Sequence, residues 1–200
     1  MYTLKTDYKK ILSDTITPVS VYLKIRDKFP NSILLESSDY HSNDNSFSYI
    51  CCNPKASIAS ENEQITESFP DGSETVTQID ASVDVPDIIH GFSRKFQVAN
   101  NTFKFINNGL FGYMAYDAVR YFEDVSIQKK ENSVAIPDVY YVVYQNIIAI
   151  NHFKNEAYIF AHCFNQESNV SEIEQLLNVR NFASYTFHRE GNGSKKHCKR

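Results

Sequence analysis

Two hundred residues that are 42% hydrophobic and 22% charged suffice to bury about two thirds of an unfolded chain's surface in one core, which excludes global disorder. The formal net charge is −4, and removing Lys195, Lys196, Lys199 and Arg200 of the last ten residues, which hold no acid, leaves −8 for residues 1–190. An acidic body excludes the basic footprint of a nucleic-acid or anionic-membrane binder.

Thirteen Tyr and fourteen Phe with no Trp point to a sheet-rich core in which flat side chains pack across strands. The opening MYTLKTDYKK puts charges where a signal peptide needs its apolar stretch. No segment reaches the roughly 20 apolar residues of a membrane span, so a cytoplasmic chain is expected. Thr17-Pro18 then opens a segment whose apolar positions Val19, Tyr22, Leu23, Ile25 and Phe29 predict an amphipathic helix, capped by Thr17 and stopped by Pro30. Short runs at Ser32–Glu36, Phe47–Cys52, Ala56–Ser60 and Glu74–Ile79, separated by Asn, Asp, Ser, Gly and Pro, predict antiparallel strands, with a tight turn at Asp71-Gly72. A second helix is predicted over Pro86–Phe96. Val139–Asn151 and Ala157–Cys163 read as two long strands joined by a hairpin near Lys154-Asn155, and Ser168–Val179 reads as a short helix. The expected fold class is α+β, with mostly antiparallel sheet and flanking helices. Residues 1–187 form the predicted domain, and 188–200 a flexible basic tail.

Candidate chemistry is sparse. Cys51 and Cys52, adjacent in a predicted strand, point to opposite faces, so with Cys163 and Cys198 they suggest neither a disulfide framework nor a zinc cluster. Each of the adjacent pair reads as a small buried apolar residue. Asp39, His41, Asn43, Asp44 and Asn45 lack the glycine and terminal glutamate of a calcium loop. His90, His152 and His162 have no Cys or carboxylate at ligand spacing, and no metal site is expected. Gly109 and Gly112 lack the Lys-Ser/Thr of a phosphate loop and are read as places where a strand approaches another backbone.

Three segments carry a resemblance. Leu34-Leu35-Glu36-Ser37 follows the predicted helix at Thr17-Pro18-Val19; GLFGYMAYDAVRYFE spans 109–123; and Ile136-Pro137-Asp138 precedes the long strand pair. In this order they resemble the N-terminal region of the anthranilate synthase component I family, which belongs with the chorismate-using synthases. On residue chemistry alone, Glu36 and Ser37 read as a strand end and a turn start. The resemblance implies that they border a tryptophan feedback site, with Ser37 contacting the ligand and Glu36 meeting its ammonium or holding the loop. It also implies that Asp117, Arg120 and Glu123 are structural and tie this region to the catalytic one.

The family converts chorismate and glutamine, or ammonia, to anthranilate, pyruvate and glutamate. Its magnesium and chorismate residues lie in a later segment, and a glutamine amidotransferase subunit supplies ammonia. The resemblance therefore implies no catalytic residue, no cofactor and no metal in these 200 residues. The chain is expected to be a fragment, or to end where a reading frame shifts near Gly191, inactive alone and a poor binder of L-tryptophan. A strand such as Val139–Asn151, robbed of catalytic-half partners, is then expected to leave an aggregation-prone edge. The alternatives are the same region of aminodeoxychorismate synthase component I, or a stand-alone amino-acid-binding module.

Overall fold

The computed structural model describes residues 1–36, 46–99, 102–125, 127, 136–164 and 167–179. Strand β1 (Tyr2–Leu12) opens the chain, and helix α1 (Pro18–Arg26) follows where the sequence places it. Thr17 and Ser20 form a reciprocal cap, each side chain accepting from the other's backbone N–H at 3.1 Å, and Pro18 fits the first turn because its missing N–H has no intrahelical partner there. Val21 and Ile25, four residues apart, are the buried stripe.

Strand β2 (Ile33–Glu36) pairs antiparallel with the first part of β3 (Phe47–Glu61). The sequence suggested a break at Asn53-Pro54, yet β3 runs through it. Proline cannot donate to a ladder, and the strand absorbs it in a bulge where Asn53 takes φ 60° and the register against β8 shifts between Pro54 and Ala56. Asn53 Nδ2 donates to the buried Gln145 Oε1 at 2.7 Å, which holds the bulge. Strands β4 (Gln64–Ser68) and β5 (Glu74–Gln78) continue as a meander, with the turn at Asp71-Gly72 closed by Gly72 N–H to Phe69 O at 3.0 Å.

Helix α2 (Val85–Arg94) is capped by Asp84 and leads directly into β6 (Phe96–Val98). Next come β7 (Phe111–Met114), a 3-10 helix over Tyr116–Tyr121, the hairpin β8 (Val139–Asn151) and β9 (Glu156–Cys163), and α3 (Val170–Asn178).

Among the described residues nine strands form one sheet, in the order β5-β4-β3-β8-β9-β1-β6, with β2 beside β3 and β7 beside β8. All pairings are antiparallel except β1 with β6. The expected α+β class with mostly antiparallel strands is what the chain adopts. The expected bare edge at Val139–Asn151 is not found, because β8 is central. It pairs with β3 from Val139 to Asn151, while β7 and β9 occupy its other side at Val139–Val142 and Asn146–Asn151.

The sheet separates two apolar layers. Ile50, Cys52, Ile148, Ile150, Ile159 and Ala161 face α1 and α3, whereas Cys51, Ile147, Ala149 and Phe160 face an aromatic layer containing Phe47, Phe103, Phe105 and Tyr158. Ring centroids there lie 4.8 Å apart for Phe47 and Phe105 and 5.0 Å for Phe103 and Phe160, as the aromatic composition suggested. A third cluster joins Val85 and Phe92 of α2 to Ile58, Ile65 and Val143.

Candidate functional site

Glu36 is the last residue of β2 and is exposed. Ser37 lies outside the described residues, as do Asp39, His41, Asn43, Asp44 and Asn45. The register places Glu36 opposite Ser48 and Leu34 opposite Ile50. Side chains opposite one another share a face, so Glu36 stands on the helix-covered side, at the end of the Leu34–Ile50 row. Ser48 is buried, and its Oγ lies 2.7 Å from Nε2 of the exposed His152 at the end of β8. Thus three polar side chains from β2, β3 and the β8–β9 turn gather at one end of the sheet. Sequence reading named Glu36 but gave His152 only a negative role as a metal ligand, and it passed over Ser48, whose polarity in an apolar run was the available signal.

The approach to Glu36 is fixed from below. Asn31 turns the chain with φ 60°, Ser32 Oγ donates to Phe29 O at 2.6 Å, and Tyr144 Oη donates to Asn31 O at 2.8 Å. Burial pushes the Tyr144 phenol well above its ordinary range, so it remains a donor.

The other two segments of the resemblance meet each other. Arg120, on the 3-10 helix, donates through Nη2 to Asp138 Oδ2 and to Tyr121 Oη, the latter at 3.0 Å. Tyr121 Oη donates to Asp138 Oδ2 at 2.9 Å and accepts from Ser60 Oγ at 3.0 Å. The backbone repeats the link, with Ala115 N–H to Asp138 O at 2.7 Å and Asp138 N–H to Ser60 O at 2.8 Å. Arg120 also donates to the carbonyl of Asp117, and Glu123 is exposed. Burial raises the Tyr121 phenol pKa, so this group is protonated at neutral pH. A fully partnered ion pair of this kind is structural rather than a reactive site.

Gly112 is closed to any side chain, since a Cβ would stand 1.9 Å from the Tyr140 carbonyl oxygen. The close backbone approach read from GLFG is therefore found at Gly112 and not at Gly109, where a Cβ would meet no other residue within 4 Å. His162 is 1% exposed, with Nε2 2.8 Å from Asn107 O and Nδ1 2.8 Å from Thr6 Oγ1. A carbonyl only accepts, so Nε2 carries the hydrogen and Nδ1 of the neutral ring accepts from Thr6. Among the described residues no group of three or more His, Cys, Asp and Glu could hold a metal ion, and no helix is long and apolar enough to cross a membrane.

These features define a mostly antiparallel sheet that presents a polar cluster at one end and whose 109–123 and 136–138 segments are joined by an ion pair. A family model described as chorismate binding enzyme matches residues 31–199, and the chain belongs to that family. Anthranilate synthase component 1 of Lactococcus lactis subsp. lactis is 29% identical over 175 residues, covering 86% of this chain and 35% of that protein. The Acinetobacter calcoaceticus protein of the same name is 26% identical over 183 residues, covering 89% and 35%. A crystal structure of anthranilate synthase component I from Streptococcus pneumoniae aligns with a TM-score of 0.48 at 22% identity, over 85% of this chain and 35% of that one. The chain spans about a third of the length of the curated relatives it matches.

Proposed function

We propose that this chain forms the tryptophan-sensing region of an anthranilate synthase component I, with Glu36 and Ser37 in the feedback site. The observation that carries this reading is the position of Glu36: an exposed carboxylate at the end of β2, opposite the Ser48–His152 pair, in a chain related along most of its length to proteins of that name. A free amino acid needs an acceptor for its ammonium, donors for its carboxylate and a slot for its side chain. Glu36 supplies the acceptor and Ser37 a donor.

Conversion of chorismate and glutamine or ammonia to anthranilate, pyruvate and glutamate is then work for the whole polypeptide, with a glutamine amidotransferase subunit as partner. Magnesium would serve that reaction in the whole polypeptide; among the described residues no group of three or more His, Cys, Asp and Glu could hold it. Alone, the chain is expected to form no anthranilate from chorismate, magnesium and ammonia. The test is made in a polypeptide of full family length that contains this chain. Ser37→Phe and Glu36→Ala should relieve inhibition by tryptophan while uninhibited turnover is largely retained; unchanged inhibition in both variants would return the two residues to a strand end and a turn. Binding to the 200-residue chain by itself is readable directly, because it has no Trp and the ligand's indole is then the only one present.

A further inference from the structure

We propose that Asn108-Gly109 is a site of spontaneous deamidation in the folded chain, and that its isoaspartyl product loosens residues 102–111 from the sheet. The reaction needs a side-chain amide followed by a residue whose backbone nitrogen is free to reach it. Gly109 is exposed, has φ 125°, and has no heavy atom within 4 Å of the place a Cβ would occupy. Glycine alone adopts such a backbone without strain. Asn108 and Gly109 lie together in a bend outside every helix and strand, where no ladder resists rotation about their backbone. Asn108 is half-buried and forms part of the wall of a cavity of about 80 Å³ shared with Ser93, Tyr144 and His162.

The Gly109 amide nitrogen attacks Cγ of Asn108. The bond from Cγ to the side-chain nitrogen breaks, and that nitrogen leaves as ammonia with the proton given up by Gly109. The resulting succinimide is opened by water. Attack at Cγ yields aspartate; attack at the original main-chain carbonyl yields isoaspartate, in which the chain runs through the former side chain. Neither oxidant nor reductant takes part.

The consequence follows from two pins on either side of the site. The Asn107 carbonyl accepts from His162 Nε2 at 2.8 Å, and Phe111–Met114 pairs with Val139–Val142 of β8. The second pin has no slack, because the Gly112 backbone lies against the Tyr140 carbonyl. An extra methylene between the pins cannot be taken up at Gly112, so the Asn107–His162 bond is the one to break.

Native and urea-unfolded samples of the whole chain are incubated side by side at mildly alkaline pH until Asn108 in the unfolded sample is half converted, then mapped by mass spectrometry with fragmentation that distinguishes isoaspartate. The expected result is that native Asn108 gains the mass of NH2 replaced by OH, ahead of every other described asparagine, and that hydrogen exchange in 102–111 accelerates in the converted fraction. Asn108→Gln should abolish the conversion. Asn108→Asp, which adds the charge without lengthening the chain, should leave exchange in 102–111 slow. An unmodified native Asn108 at that time point overturns the site. Unchanged exchange in the isoaspartyl form, or equally fast exchange in Asn108→Asp, overturns the two-pin account.

Discussion

The phenol of Tyr144, in the middle of β8, donates to the carbonyl of Asn31, so the turn entering β2 is tethered to the central strand of the sheet. Tyr144→Phe keeps the ring in a slot that is only 2% exposed and removes the tether alone. The expected cost is about 1 to 2 kcal/mol, read from the denaturation midpoint. Faster amide exchange over Ile33–Glu36 should accompany it. If neither quantity moves, β2 is positioned by its pairing with β3 and not by this bond.

Arg120 and Asp138 join the segments 109–123 and 136–138, and Tyr121 and Ser60 complete the network. Arg120→Met and Asp138→Asn should each destabilise the chain, and the double variant should lose less than the sum. A coupling energy of about 1 to 3 kcal/mol in the double-mutant cycle is expected for partly buried charge-assisted bonds. Additive losses would mean that the pair is a bystander of the backbone links through Ala115 and Asp138.

Burial holds the His162 pKa below its ordinary value, while its bond to the Asn107 carbonyl opposes that shift. The unfolded imidazole titrates near about 6.5. Above that pH both states are neutral and the residue makes stability insensitive to pH. As pH falls below it, the unfolded chain takes up a proton that the folded chain resists, and stability declines until pH reaches the lower folded pKa. His162→Gln, which can still donate to Asn107 O, should flatten the melting temperature between about pH 6.5 and the onset of carboxylate titration near about pH 4.5. An unaltered decline in the variant assigns it to other groups.

Gly112→Ala should cost about 1 to 3 kcal/mol, because the added methyl meets backbone rather than a movable side chain. The loss should appear together with weakened protection of both Phe111–Met114 and the facing Val139–Val142. A neutral substitution would show that β7 shifts freely along β8.

Elements with strong periodicity and punctuation were legible in the sequence: α1 with its Thr-Pro start, the β8–β9 hairpin, and α2, expected over Pro86–Phe96 and found over Val85–Arg94. Others were not, among them β1, β4, the continuity of β3, and β6, whose first residue Phe96 reads in the sequence as the end of α2. β1 was passed over because Lys5, Asp7, Lys9 and Lys10 dominate it, although Leu4, Thr6 and Tyr8 alternate with the charges in a strand's period. β4 was missed because its hairpin turns at Asn62-Glu63, where both residues have positive φ (50° and 61°) and glutamate gives none of the warning that glycine would. The continuity of β3 was hidden by Pro54, since a bulge depends on what the partner strand supplies, here Gln145.

The site was half legible. Glu36 could be placed at a strand end from its neighbours, but the company it keeps depends on the register of β2, β3 and β8, which no local pattern specifies. Ser48 and His152 are 104 residues apart in sequence and meet only because β8 returns beside β3.

Cys51 and Cys52 are bonded neighbours in β3, yet one belongs to the aromatic layer and the other to the layer under α1 and α3. Both are fully buried, and burial pushes the Cys52 thiol up to about 12 and the Cys51 thiol well above its usual range. A thiol reagent therefore reaches each sulfur only when the layer above it opens. In single-cysteine variants, alkylation at 51 times the breathing of one face and alkylation at 52 that of the other. The chain carries, at adjacent positions, two clocks for motions on opposite sides of the same sheet.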